Sequence, residues 1–212
     1  MASRTERLAP LSGVASIALL GVSTVLFDFY EYLPAPGDIQ AHLLDNDTAV
    51  TIAGYLGMLA AALLFWFASS LRSTLRAAEG GDGRVSNIAF GGAVGAAVLF
   101  VAAYSVMIAA GARAGSDSGI SADSAAITYD VYATLVGGGV ALALGVAIGA
   151  FAVVAFRTRV MPRWAAWASA IIAVGAISPA SYVFLGLAAA WVVYVSVTLY
   201  MAGRRTVRAD GV

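Results

Sequence analysis

Apolar positions in this chain fall in long runs, without the strict alternation of strands or the narrow stripes of soluble helices. Six runs stand out, at about residues 10–29, 49–71, 86–111, 124–156, 162–177 and 179–202, with short polar links between them. A hydrocarbon layer about 30 Å thick takes roughly 20 helical residues to cross. The pattern predicts an all-α transmembrane six-helix bundle, one membrane domain over residues 1–212. The first run follows Arg4 and Arg7 as the core of a signal peptide would. Leu11 to Phe27 is longer than the usual apolar region of such a peptide, and no small-residue cleavage site follows. It reads as a retained first crossing.

Local punctuation agrees with these bounds. Pro10 suits a first helical position, Asp47 or Thr48 and then Ser86 suit N-caps, and Ser178-Pro179 reads as cap and first residue of the last helix. The link from Tyr30 to Thr48 carries Pro34, Pro36 and Gly37 and must leave the membrane. Within it, Asp38 to Asp45 predicts a short helix with Ile39, Leu43 and Leu44 on one side, lying on the bilayer or on the bundle. The link around Glu79-Gly80-Gly81-Asp82-Gly83 lacks the lysine and the strand–helix setting of a phosphate loop, and reads as a flexible turn.

Composition removes several classes of chemistry. Residues are 61% apolar and 11% charged, against about 25% charged in soluble domains. Without cysteine there are no disulfides and no thiolate chemistry. All 12 basic residues are arginine, which rules out a lysine Schiff base or nucleophile. One histidine, His42, cannot supply two axial haem ligands. We expect no enzyme activity, no cofactor and no metal site, and at zero formal net charge nothing points to nucleic acid.

Charge placement gives an orientation. Eleven arginines fall in the N-terminal tail, the second and fourth links and the C-terminal tail, and only Arg113 falls on the other side. The excess of arginine on the cytoplasmic side predicts both termini inside, in the cell membrane. Asp28, Glu31, Asp38, Asp45, Asp47, Asp117, Asp123 and Asp130 then all lie outside.

Gly137, Ala141, Gly145 and Gly149 recur every four residues, and Gly91 and Gly95 share that register. Such spacing lets helix backbones approach closely in lipid, and predicts a tight contact between the third and fourth segments. No charge lies in the middle of any segment, which argues against a charged-substrate carrier with a midplane site. Ser23, Thr24, Tyr104, Ser105, Thr134, Ser196 and Thr198 are the modest polar groups there, mostly able to bond a carbonyl one turn back. Trp66, Trp164 and Trp167 fit an interfacial belt, whereas Trp191 falls mid-helix, as a packed residue would.

One stretch combines charge with aromatic rings: Phe27-Asp28-Phe29-Tyr30-Glu31-Tyr32. If the helix continues, Asp28 and Glu31 share a face at its C-terminus, where the helix dipole disfavours anions. Either one carboxylate is protonated or a cation compensates. Candidates are Arg113 as an ion pair, His42, or a bound small cation or amine held by carboxylates beside aromatic rings. Tyr129-Asp130-Val131-Tyr132 repeats the motif. Helical rise places Asp130 a couple of turns higher than Asp28, a gap that tilt or a kink at Gly137-Gly138-Gly139 would close.

Three motifs carry a family resemblance: Asp45-Asn46-Asp47 leading into a helix that closes Leu64-Phe65-Trp66-Phe67-Ala68-Ser69-Ser70-Leu71-Arg72, then Met161-Pro162-Arg163-Trp164-Ala165-Ala166-Trp167, and Trp191-Val192-Val193. From about residue 34 to 202 the chain resembles a large family of small, functionally uncharacterised multi-pass membrane proteins common in actinobacteria. The resemblance implies the architecture and brings no catalytic residue or substrate. The expected role is that of a non-enzymatic accessory or interaction protein, with the bilayer and a membrane protein as partners. The alternative is binding or transport of a small cationic or lipophilic molecule at the outward acidic aromatic site.

Overall fold

The computed structural model describes residues 8–28 and 34–209, the last seven of these as backbone only. Helix α1 (Ser12–Phe27), entered through a 3₁₀ turn at Ala9–Leu11, is followed by the short α2 (Pro36–Asp45). The long pair α3 (Asp47–Glu79) and α4 (Arg84–Ala114) comes next. Helix α5 (Ala122–Thr134) runs through a π-helical turn at Leu135–Val140 into α6 (Ala141–Thr158). Helices α7 (Arg163–Ala176) and α8 (Ser181–Ala209) close the chain. Among the described residues, five stretches are long and apolar enough to cross a membrane: Ala9–Phe27, Asp47–Glu79, Arg84–Ala114, Ala122–Thr158 and Ser181–Ala202.

The fifth expected crossing is shorter than the rest. With 14 residues, α7 is about 21 Å long, less than a hydrocarbon layer of about 30 Å. Segments two to four are longer than expected, because their ends run on into polar links. The last helix starts at Ser181, two residues after Pro179; Ser178 Oγ accepts instead from Ala180 N–H in the turn (3.2 Å).

Helices α1, α3, α4, α6, α7 and α8 form a ring in that order, closed by α8 packing on α1. Helices α3 and α6 also meet across it, so side chains occupy the middle. Phe67, Leu75, Ile148, Phe151, Val154 and Val195 are fully buried there. Trp191 stands edge-on to Phe151 at 5.0 Å and donates its indole N–H to Ser169 Oγ (2.8 Å), so the mid-helix tryptophan does pack. Trp66, Trp164 and Trp167 are exposed, as belt residues would be.

The expected close contact between the third and fourth segments forms, but mostly through other residues than those of the fourfold register. Gly145 and Gly149 face Ala173 of α7, and Gly137 faces the Tyr182 ring of α8. A Cβ added at Gly91 would meet nothing within 4 Å, and one at Gly95 only the Ala143 methyl at 3.7 Å. The close approach of α4 to α6 is made by Gly92, where an added Cβ would lie 2.8 Å from the Ala143 carbonyl oxygen and the Ala147 nitrogen. The fourfold spacing identified a close-packed face but not its partner. Ala141, on the same register, is buried.

A smaller cluster caps one end of the ring. Ile39 and Leu43 of α2 bury against Phe27, Val50, Met107, Ala110 and Tyr129, while Leu44 points outward. The short helix thus lies on the bundle, tied by Gln40 Nε2 donating to the Ile120 carbonyl (2.7 Å). Pro36 in its first turn and Asp38 just after suit its N-terminus. At the other end, the α3–α4 link turns on Gly80, Gly81 and Gly83, all with positive φ. There the Glu79 carboxylate accepts from Val85 N–H (2.9 Å), Ser86 N–H (2.8 Å) and the Ser86 hydroxyl, capping α4 from outside the helix. Ser86 is therefore not the cap itself.

Candidate functional site: the capped end of the bundle

Helix α1 ends at Phe27. Asp28 takes the left-handed conformation (φ 48°, ψ 31°), with its N–H on the Thr24 carbonyl at 3.2 Å. The helical continuation that would set Asp28 and Glu31 on one face is absent, because Asp28 already turns the chain off the helix axis. Glu31, Tyr30 and Tyr32 lie outside the described residues. The Asp28 side chain is exposed.

His42 meets the helix end itself. Its Nε2 lies 3.0 Å from the Phe27 carbonyl oxygen, a group left without an intrahelical partner. An imidazole N–H at a helix C-terminus satisfies that carbonyl and suits the dipole.

Arg113 is exposed on α4, and no described carboxylate pairs with it. The expected Asp28–Arg113 ion pair is not formed. Arg113 instead lines a cleft of about 530 Å³ between α4 and the start of α5.

The echo motif divides between interior and surface. Tyr132 packs on Phe27 (ring centroids 5.0 Å) and edge-on to Tyr104 (5.8 Å), while Asp130, two residues back and so on the far side of the helix, is exposed. The Tyr104 hydroxyl reaches toward Ser23 and Tyr132, and its ring covers Gly57, where any larger residue would collide with it. Ser23 Oγ crosses to the Ala53 carbonyl of α3 (2.7 Å), and Ser16 does the same to Ala60 (2.7 Å). Thr24, Ser105 and Thr198 bond their own helices one turn back, as expected. The structure therefore joins Phe27, Tyr132, Tyr104 and Ser23 into one buried aromatic–hydroxyl group and leaves Asp28, Asp130 and Arg113 separate on the surface.

Sequence reasoning missed Tyr182. Its hydroxyl donates to the Ala133 carbonyl (3.0 Å) beside the π turn, a position where helical pairing changes register. Asp130, Thr134, Gly137, Gly138 and Tyr182 line a cleft of about 560 Å³ above the α7–α8 turn. The signal was the triple glycine, which the sequence marks as a possible kink. Nothing local in the sequence names the tyrosine that meets it.

Compared with protein-family models, with curated proteins and with solved structures, the chain matches none.

Proposed function

We propose that the chain is a six-crossing protein of the cell membrane, both termini cytoplasmic, acting without catalysis as an accessory or interaction protein. The observation that carries this reading is the filled ring: α3 meets α6 across the middle, where a conduit would have to run. The short α7 counts as the fifth crossing because α7 and α8 form a hairpin whose free ends both carry arginine, Arg157, Arg159 and Arg163 at one and Arg204, Arg205 and Arg208 at the other.

The natural absence of cysteine makes single-thiol labelling a direct test. On intact cells an impermeant maleimide should label Asp117→Cys and Ser178→Cys, and should reach Asp82→Cys only after permeabilisation. Ser178→Cys protected under all conditions would make α7–α8 a re-entrant hairpin and reduce the crossings to four. For the role, native mass spectrometry of gently extracted protein should show an accompanying membrane protein. Reconstituted vesicles should show no flux across a panel of cations and amines, and facilitated flux would overturn the reading.

A second reading rests on the cleft at Asp130. A carboxylate, a hydroxyl and the Tyr182 ring converge there, which suits a small cationic or lipophilic molecule. Thermal shifts across an amine panel that are the same in wild type, Asp28→Asn and Asp130→Asn would end it.

A further inference from the structure

Among the described residues, Arg113 is the one arginine at the capped, acidic end of the bundle. Its expected partner does not meet it, and the neighbouring carboxylates Asp117 and Asp123 do not line its cleft. The lining is graded along the helices. Arg113, Ser121 and Ser124 stand at the end of the bundle, with Thr128 one turn further in on α5. On α4, Ala109 and Val106 lie about 6 and 10 Å from Arg113 toward the middle. Beyond them α4 exposes Ser105, Ala102 and Val98, a track of short side chains in line with the cleft. Ile127, exposed beside the cleft on α5, marks this surface as lipid-facing.

We propose that this cleft holds one phospholipid, its phosphate on the Arg113 guanidinium and one acyl chain along the track of α4. Three features select the ligand. A planar guanidinium without a carboxylate partner takes a phosphate in two-pronged fashion. Ser121 caps α5, accepting from Ser124 N–H at 3.3 Å, so the positive end of that helix also faces the phosphate. No described carboxylate lines the cleft to receive an ammonium group, which favours an anionic headgroup over a choline one. The inference requires the chain to sit in a membrane, and does not depend on whether it acts as an accessory protein or on which leaflet Arg113 faces.

The test is native mass spectrometry of the full chain, delipidated in detergent and reloaded with phosphatidylglycerol, phosphatidylcholine, diacylglycerol or inorganic phosphate. Wild type should retain one phosphatidylglycerol at collision energies that strip the other lipids. Arg113→Gln should lower retention about tenfold, the loss expected for one charge-assisted contact. Arg163→Gln, at the opposite end, should leave retention unchanged, and both variants should keep the wild-type melting temperature. Equal retention by Arg113→Gln, or an equal loss in Arg163→Gln, would overturn the site. Displacement of the lipid by inorganic phosphate would overturn the lipid as its ligand. If the thiol labelling above shows no crossings, the membrane reading has failed and this proposal with it; labelling as expected with no retained lipid removes the proposal alone.

Discussion

In the ring, the backbone of Gly92 comes so near α6 that one added methyl would stand 2.8 Å from Ala143 and Ala147 main-chain atoms. In the cap, Ile39 and Leu43 bury their side chains and so hold a ten-residue helix onto the bundle, alongside the hydrogen bonds of Gln40 and His42. The two regions are assembled by different forces. Helices already in lipid gain little by hiding apolar surface from one another, so shape fit and close backbone approach hold the ring. The cap helix is an amphipathic segment in a polar link, and burying a leucine from water contributes roughly 1.5–3 kcal/mol. The ring should therefore be sensitive to added volume and the cap to removed volume.

The largest effect should come from adding volume where backbone is the obstacle. Gly92→Val should destabilise the bundle by about 3 kcal/mol or prevent its accumulation, since neither Ala143 nor Ala147 can move without α6 moving. Gly91→Val, one residue away and open on that side, should stay within about 0.5 kcal/mol of wild type. Thermal unfolding in detergent separates the two. Similar destabilisation by both would mean that helix propensity, not interhelical fit, governs this segment.

Leu43→Ala is the matching removal from the cap and should cost about 2–3 kcal/mol, through lost burial and the cavity left among Phe27, Met107 and Tyr129. The loss should be local: amide exchange should rise across residues 36–46 and stay unchanged in α6. A uniform rise would show that cap and ring unfold as one unit, and the contrast between them would fall.

Trp191→Phe probes the ring by a subtler route. It keeps an aromatic side chain at Phe151 and removes the indole N–H on Ser169. About 1 kcal/mol should be lost, the usual size of one internal hydrogen bond. Ser169 limits the damage, because its hydroxyl donates to the Ala165 carbonyl and has a partner either way (2.7 Å). A loss several times larger would mean that the indole's shape matters more than its N–H.

How much of this was legible in the sequence follows the same division. Long apolar runs, the exposure of Trp66, Trp164 and Trp167 and the buried Ile39–Leu43 pair depend on composition along one helix, and there the structure agrees, while Leu44, expected on the same side, is exposed. Partners were not legible in this way. Gly145 and Gly149 share a face with Ala141, but whether α4 or α7 meets that face is decided by how helices far apart in the chain close into a ring. For the acidic aromatic stretch only the helical register is corrected, for a local reason: it assumed a helix past Phe27, and one left-handed residue at Asp28 ends it, with Tyr30, Glu31 and Tyr32 outside the described residues. His42 and Glu79 were legible as polar groups near helix ends. Which backbone group each would satisfy depends on chain reversals that spacing alone does not fix.

The smallest effect lies outside both clusters and checks that backbone strain, not packing, can be read separately. Asp28 and Arg159 are the two described non-glycine residues with positive φ, each at the end of a helix. Aspartate tolerates the left-handed region better than most residues because its short polar side chain bonds locally. Arginine has no such relief, and its N–H nevertheless closes α6 on the Ala155 carbonyl at 3.1 Å. Arg159→Gly removes the Cβ conflict but frees the unfolded chain, so the net gain should be about 0.5–1 kcal/mol, a rise of a few degrees in melting temperature. Asp28→Gly should gain less. Arg159→Lys keeps both charge and strain and should melt with wild type. If Arg159→Gly instead melts lower, the arginine side chain stabilises the α6–α7 turn by more than its backbone costs, and the turn belongs with the packed ring after all.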